Sequence, residues 1–219
     1  MAEIAEWEAR FAAFLAEEGA GDAAHDEGHV KRVVANARAL AEIEGADLAV
    51  VLPAAWLHDC VSVPKSSPQR SSASRLAAER AGDFLRREGY PVEHIAAIEH
   101  AIAAHSFSAG VPPQTLEAKV VQDADRLDAL GALGIARTLM LGGANGAPLY
   151  KLSEPFPVTR VADDRTSVID HFFTKLLKLA DTMQTAAGRE AAQQRAEFLK
   201  QFLAQLGQEI GVPFESTKS

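Results

Sequence analysis

The sequence predicts an all-α fold, built as a single-domain helical bundle. Long segments rich in Ala, Leu, Glu and Arg carry apolar residues at spacings of three and four, which is the helical period. Alternating β-branched runs are few. The best strand candidate is "EAKVV" at residues 117–121, and this run also fits a helix. These two observations favour helices throughout the chain.

Glycine and proline mark several ends of the predicted helices. Gly45 follows the second helix, "REGYP" ends the fourth, and "VPP" separates the fifth from the sixth. With these breaks, the helical period predicts helices near residues 3–18, 28–44, 47–60, 71–88, 92–105, 115–129, 131–141, 165–181 and 188–210.

The segment "GGANGAPLYKLSEPFPVTRVADDRTS", residues 142–167, interrupts this pattern because it is rich in Gly and Pro. It is longer than most helix connections, and loops of this length in compact domains are usually functional lids or disordered segments. Because it also carries Tyr150, Lys151 and Phe156, we predict a partly ordered flap. The helices over residues 168–210 are then expected to pack on the core.

The size of the chain is compatible with one good-sized core or two small ones, since 47% of the 219 residues are hydrophobic. No internal repeat or low-complexity linker divides it, so a single domain over residues 1–219 is predicted. No apolar run reaches the roughly 20 residues that span a bilayer. The acidic first segment is typical of a helix and not of a signal peptide.

The single cysteine, Cys60, excludes an internal disulfide and suits a reducing compartment, so a cytoplasmic location is predicted. We expect Cys60 to pack as a small apolar residue. The net charge of −8 argues against binding of a nucleic-acid polymer. It does not exclude a small phosphorylated substrate, because a bound divalent ion and a few bases reverse the field inside one pocket.

The stretch "WLHDC" places His58 and Asp59 at the end of the apolar run "LAVVLPAAWL". Both side chains are costly to bury unless something binds them. Adjacent helical residues point about 100° apart, so this pair needs further ligands from other helices. Two segments offer them: "HDEGHVKRVVANA", with His25 and His29, and "VVQDADRLDAL", with three aspartates, Asp123, Asp125 and Asp128.

Each of these features also has an ordinary structural interpretation. His29 is a polar residue near a helix start, and "DADRLD" could be a solvated face with an internal salt bridge to Arg126. Taken together, however, a His, then a His-Asp pair, then an Asp follow one another on successive apolar helices. Two histidines and two aspartates from three helices would form a mixed nitrogen and oxygen coordination sphere with positions left open.

This ordered set resembles the HD-domain phosphohydrolase superfamily, whose signature is an H…HD…D series of metal ligands in a helical bundle. Matched residue by residue, the metal ligands are His29, His58, Asp59 and Asp125. The match to "ADRL" selects Asp125 over Asp123, which is expected to orient a ligand or water from behind.

The resemblance continues through "HDCVSVPKSSPQRSSASRLAAERAGDFL" and the tail from "TSVIDHFF" to about residue 210. Both segments are similar to a bacterial subgroup of stand-alone HD hydrolases, and together they cover residues 22 to about 210. The metal-site core is expected over about residues 22–130.

The resemblance implies a nucleotide phosphohydrolase. The implied reaction is cleavage of a nucleoside triphosphate to monophosphate and pyrophosphate by a metal-bound hydroxide. A phosphodiesterase, a nucleoside monophosphatase and a non-catalytic nucleotide-binding regulator stay open as alternatives.

One divalent ion is expected in preference to two. Mn²⁺ is favoured, while imidazole and carboxylate ligands also leave Mg²⁺, Fe²⁺, Co²⁺, Ni²⁺ or Zn²⁺ open. His100 and His105 are predicted catalytic residues, as phosphate contacts, proton donors or ligands of a second ion; Asp59 is counted with them. The predicted substrate-binding residues are His25, Lys65, Ser66, Arg70, Asp128, His171 and Lys175. The oligomeric state is not predicted.

Overall fold

The computed structural model describes residues 2–18, 27–63, 70–106 and 109–214. Within these ranges the chain is all-α and has no strand, which confirms the predicted fold class. The helices are α1 (Ala2–Glu18), α2 (Glu27–Glu44), α3 (Leu48–Leu57), α4 (Ala73–Glu88), α5 (Val92–His105), α6 (Leu116–Leu127), α7 (Gly131–Ala144), α8 (Leu177–Leu179) and α9 (Ala186–Glu209). A 3₁₀ turn, Arg70–Ser72, precedes α4.

Three predicted helices differ from the observed ones by three residues or more. The predicted helix over 131–141 continues to Ala144. The predicted helix over 47–60 ends at Leu57, so the His-Asp pair lies just beyond its last turn. The predicted helix over 165–181 begins only at Asp170, and the helical stretch that follows is irregular. A π-helix (Phe172–Leu176), the short α8 and a 3₁₀ turn (Ala180–Thr182) follow one another there.

The chain forms two compact units, residues 1–125 with 184–188, and residues 126–183 with 189–219. The single domain stays a prediction. No single helix in the described ranges is long and apolar enough to cross a membrane, although the consecutive helices α6 and α7 pass that test of length and composition when taken together.

The first unit is built around α3, which is buried along nearly its whole length. Asp47 caps its start by accepting a hydrogen bond from the Ala49 N–H at 2.8 Å. Pro53 lies inside the helix and has no N–H to donate to the carbonyl of Ala49. The hydroxyl of Tyr90 donates to that carbonyl instead, at 2.5 Å. Tyr90 therefore supplies the hydrogen bond to the Ala49 carbonyl that Pro53 cannot donate.

Helices α4 and α5 pack closely because α4 is lined with small residues. A Cβ on Gly82 would lie 1.8 Å from the Glu99 carboxylate, so the side chain of Glu99 occupies the space over this glycine. Gly89 ends α4 with a φ of +77°, a left-handed conformation that glycine adopts without strain. The turn at Gly89 leads into α5, whose last residue is His105.

The second unit contains α7 and residues 142–167, the predicted flap. The first three residues of this segment belong to α7, and residues 145–167 have no regular helix. Buried Asp170 holds this segment. Its carboxylate accepts hydrogen bonds from the Arg160 guanidinium, from the Asp163 N–H at 2.7 Å and from the Ser167 hydroxyl at 2.8 Å. Burial alone would raise the pKa of Asp170, but these donors outweigh it and hold the pKa below its usual value.

Candidate metal centre

Four helices of the first unit bring ligand-type side chains to one place. His29 lies in the first turn of α2, and His58 and Asp59 directly follow α3. His105 is the last residue of α5, and Asp125 lies in the last turn of α6. Each of these residues therefore lies at or near a helix end.

The His29 and His58 imidazoles lie within 4.0 Å of each other and of both carboxylates, those of Asp59 and Asp125. His29 Nε2 is 3.3 Å from His58 Nε2, 3.5 Å from Asp125 Oδ1 and 4.0 Å from Asp59 Oδ2. His58 Nε2 is 3.5 Å from Asp59 Oδ2 and 4.0 Å from Asp125 Oδ1. Four donor atoms from three helices thus surround one small space.

These distances fit a single metal ion. Metal bonds of about 2.1 Å to nitrogen and oxygen place two ligands of one ion roughly 3 to 4.2 Å apart. All five separations that involve an imidazole fall in that interval. His29, His58 and Asp125 form a first group of possible ligands, whose donor atoms all lie within 4.8 Å of one another. Two imidazoles with two carboxylates are a ligand set suited to divalent transition metals.

The backbone fixes the orientation of the His58 imidazole. Its Nδ1–H donates to the carbonyl of Ala55 at 2.8 Å, so Nε2 presents its lone pair to the cluster. Burial lowers the pKa of His58, because the side chain is fully enclosed and its charged form is disfavoured. A neutral imidazole is the form that binds a metal.

Asp59 divides its two oxygens between different histidines. Oδ2 faces His58 and His29, while Oδ1 lies 3.5 Å from Nε2 of His105. Burial would raise the pKa of Asp59, but His58, His105 and His29 together lower it far below its usual value. The Asp59 side chain is 45% exposed, whereas His58 is fully buried, so the carboxylates form the open side of the cluster.

His105 belongs to a second, overlapping group of possible ligands with His58 and Asp59, whose donor atoms lie within 4.8 Å of one another. Its Nδ1–H donates to the Ile102 carbonyl at 2.7 Å. Burial lowers the pKa of His105, but the contact with Asp59 outweighs burial and raises it. Both ring nitrogens of His105 therefore face acceptor oxygens.

Comparison with known proteins places this geometry in a family. Residues 27–130 match the family model described as "HD domain". The chain is 38% identical to the Bacillus subtilis protein YpgQ over 208 residues, which cover 93% of this chain and 92% of YpgQ. The chain belongs to the HD-domain superfamily.

Solved structures of HD proteins agree with this assignment. A crystal structure of an HD-superfamily hydrolase from Bacillus thuringiensis is 33% identical, covers 94% of this chain and 97% of its own, and has a TM-score of 0.75. The crystal structure of B. subtilis YpgQ in complex with ADP is 35% identical, covers 95% and 97%, and has a TM-score of 0.73. The fold is therefore that of the HD-superfamily hydrolases, which are metal-dependent phosphohydrolases.

Several predicted residues lie elsewhere among the described residues. His100 accepts a hydrogen bond from the Gln114 N–H at 3.0 Å and belongs to neither group of possible ligands. In the second unit, Asp128 is buried and pairs with Arg137 at 2.5 Å, and His171 Nδ1 lies 3.0 Å from Asp164 Oδ2. Lys175 lies one turn after His171, in the π-helix.

Asp123 has a role that the sequence analysis did not anticipate. Its carboxylate accepts hydrogen bonds from the Gln184 N–H at 2.9 Å, and from the N–H and the hydroxyl of Thr185, each at 2.8 Å. Asp123 therefore holds Thr185, whose hydroxyl caps the start of α9 by accepting from the Gly188 N–H at 2.9 Å. The predicted role in orienting a ligand or water stays a prediction.

Four further predictions fall outside the described part of the site. His25, Lys65 and Ser66 lie outside the described residues, as does the side chain of Arg70. Two buried residues near the site, Ser74 and Gln122, were missed. The only signal for Gln122 was an amide between the apolar "VV" and "DAD" of α6.

Proposed function

We propose that this HD protein hydrolyses nucleoside triphosphates to monophosphate and pyrophosphate, using one divalent ion held by His29, His58, Asp59 and Asp125. The observation that carries this proposal is that the His29 and His58 nitrogens lie 3.3 Å apart and each lies 3.5 to 4.0 Å from an oxygen of Asp59 and of Asp125. Such a cluster suits an ion that is open to substrate on one side.

The nucleotide part of the proposal rests on a relative. YpgQ, which is 38% identical to this chain, has been crystallised in complex with ADP. A nucleoside diphosphate shares its base, sugar and first phosphates with a triphosphate. A nucleotide is therefore the substrate class that we assign to this centre.

The residues of the centre would divide the work as follows. His29 and His58 would each offer a neutral nitrogen, and Asp59 and Asp125 would offer the negative charge that a divalent ion requires. A bound divalent ion supplies an activated water and polarises a phosphoryl oxygen. The remaining requirement for phosphoryl transfer is positive charge around the phosphates.

For that positive charge we propose Lys65 and Arg70 as phosphate contacts, with the Ser66 hydroxyl as a neutral hydrogen-bond donor beside them. His25, Asp128, His171 and Lys175 remain proposed substrate contacts. We propose His105 as a catalytic residue beside Asp59, and His100 is kept with it as the weaker proposal, because its described hydrogen bond goes to Gln114.

We propose one ion, with Mn²⁺ as the favoured metal. Both nitrogens of His105 already face oxygens, Nδ1 the Ile102 carbonyl and Nε2 the Asp59 carboxylate. This arrangement supports a proton-bearing His105 over one that ligates a second ion.

Product analysis tests the proposal. The protein would be stripped of metal, reloaded with Mn²⁺ and incubated with nucleoside monophosphates, triphosphates and cyclic nucleotides, with products separated by ion-exchange chromatography. We expect monophosphate and pyrophosphate from triphosphates, and no product with His58→Ala. A Tyr90→Phe variant is the matched control, because it removes a hydrogen bond of the same unit at a residue outside the ligand cluster.

Other products would decide against this reaction. Nucleoside and phosphate from monophosphates, or opening of a cyclic nucleotide, would assign the centre to a phosphatase or phosphodiesterase. Nucleotide binding without turnover under any metal would indicate a regulatory HD protein.

A further inference from the structure

We propose that Gln122 is a positioning residue that sets the His105 imidazole through the carboxyl end of α5. This inference rests on the proposed function, in which His105 acts beside Asp59. Gln122 lies on α6, about one turn before Asp125, and its side chain is 3% exposed. It therefore links the helix that carries one ligand to the helix end that carries His105.

The end of α5 is held by side-chain donors. The last four carbonyls of a helix have no partner further along that helix. In α5, the Ile102 carbonyl accepts from His105 Nδ1 at 2.7 Å, the Ala103 carbonyl from the Ser74 hydroxyl at 3.0 Å, and the Ala104 carbonyl from Gln122 Nε2 at 2.7 Å. Donors from α4 and α6 thus fix the turn from which His105 projects.

The side-chain amide of Gln122 costs folding free energy, because its oxygen is left without a hydrogen bond among the described residues. This Oε1 is buried and has no hydrogen-bond partner within the described part of the chain. A buried, unpaired acceptor is destabilising, and an apolar side chain of similar size would avoid it. Turning the amide over would place Oε1 against the Ala104 carbonyl, so the NH₂ group must face that carbonyl. The donor is therefore the part of Gln122 that matters.

The consequence for the centre follows from the distances. Nε2 of His105 lies 3.5 Å from Asp59 Oδ1, and Asp59 Oδ2 lies 3.5 Å from His58 Nε2. A shift of the last turn of α5 would move the His105 ring away from Asp59. Outer partners of this kind commonly change activity by about 10- to 100-fold when they are removed.

The test uses the whole 219-residue chain with Gln122→Met, which removes the donor and keeps the length of the side chain. Gln122→Asn, whose amide is one methylene too short to reach Ala104, serves if the first variant does not fold. Tyr90→Phe again controls for the loss of a side-chain bond to a helix carbonyl in the same unit.

The first readout is turnover in a double-mutant cycle with His105→Ala. We expect Gln122→Met to lower kcat by about tenfold with little change in KM, and to have no further effect on kcat in the His105→Ala background. Tyr90→Phe should lower the unfolding midpoint and leave kcat unchanged. An equal loss of kcat in both backgrounds would overturn the proposal.

The second readout does not depend on turnover. The ¹⁵N signals of the His105 imidazole, identified by their loss in His105→Asn, would be recorded on the metal-free protein. We expect them to move in Gln122→Met and to stay in place in Tyr90→Phe. Unchanged His105 signals in Gln122→Met would refute the positioning role. If the wild-type chain cleaves no nucleotide, the proposed function fails, and these signals alone decide about Gln122.

Discussion

Histidine and aspartate side chains meet in both units of the molecule, but different groups hold the imidazoles. In the first unit, His58 and His105 each donate Nδ1–H to a carbonyl three residues earlier, so Nε2 faces the carboxylates. In the second unit, Nδ1 of His171 faces the Asp164 carboxylate, and the ring is 29% exposed. When a backbone carbonyl fixes the ring, the carboxylates stay available to bind a metal ion. When a carboxylate orients the ring, that carboxylate is already engaged by the imidazole.

The largest expected effect follows from changing a carboxylate of the His-Asp cluster in the first unit. Asp125→Asn should abolish both metal binding and turnover, because it removes a charge from a ligand 3.5 Å from His29. The measurement is the metal content of the dialysed protein together with its activity. Asp164→Asn, in the exposed pair, is the control and should retain its metal. Full metal content in Asp125→Asn would remove this residue from the ligand set.

The next effect concerns the stability of the second unit. Asp170→Asn should cost about 3 kcal/mol at neutral pH, because it leaves the half-buried Arg160 without its carboxylate partner. Since the pKa of Asp170 is lowered in the folded protein, its stabilisation is present above the unfolded pKa of about 4 and is lost as the pH falls below it. Urea unfolding of both proteins at several pH values would show the difference shrinking under acid conditions. A pH-independent difference would contradict this account.

A smaller effect should follow from crowding the cap of α9. In Gly188→Ala the new Cβ would lie 2.3 Å from Asp123 Oδ2 and 2.7 Å from Thr185 Oγ1. We expect a loss of about 2 kcal/mol, because the Asp123 carboxylate and the Thr185 hydroxyl that caps the helix must move. Gly143→Ala, whose Cβ would meet nothing within 4 Å, is the matched control for thermal unfolding. Equal melting temperatures for the two variants would disprove the predicted clash.

The smallest expected effect concerns His171, whose imidazole contacts Asp164 in the second unit. His171→Ala should change the free energy of unfolding by less than about 1 kcal/mol, because polar contacts between partly exposed side chains contribute little. Its metal content should equal that of the wild type. If His171 contacts substrate as proposed, KM should rise a few-fold at constant kcat. Loss of metal from this variant would show that the two arrangements are not independent.

Periodicity and glycine placement predicted most of the helices. Gly45 and Gly89 both adopt positive φ where a helix was expected to end, and α5 has the predicted bounds. The predicted helix over 165–181 begins only at Asp170, because hydrogen bonds to the Asp170 carboxylate hold the preceding segment and an apolar stripe does not reveal such bonds. Contacts between residues of that segment, and not periodicity, decide its structure.

The order of His and Asp residues predicted which side chains meet at the centre, but it could not show which of two histidines on one helix reaches Asp59. His100 and His105 share one helix, and only the position at its last residue brings His105 to Asp59. Only the resemblance at "ADRL" separated Asp125 from Asp123. Asp123 bonds to residues about 60 positions further along, a pairing that depends on tertiary structure.

Cys60 has a practical consequence for work on this protein. It is the only cysteine of the chain, it is buried, and its Sγ–H donates to the Ala77 carbonyl at 3.4 Å, as expected of a residue that packs in the core. Burial raises the pKa of its thiol to about 12, so the reactive thiolate is scarce at neutral pH. A cysteine introduced on the surface would therefore be the main target of a maleimide dye, and fluorescent labelling could begin from the wild-type background.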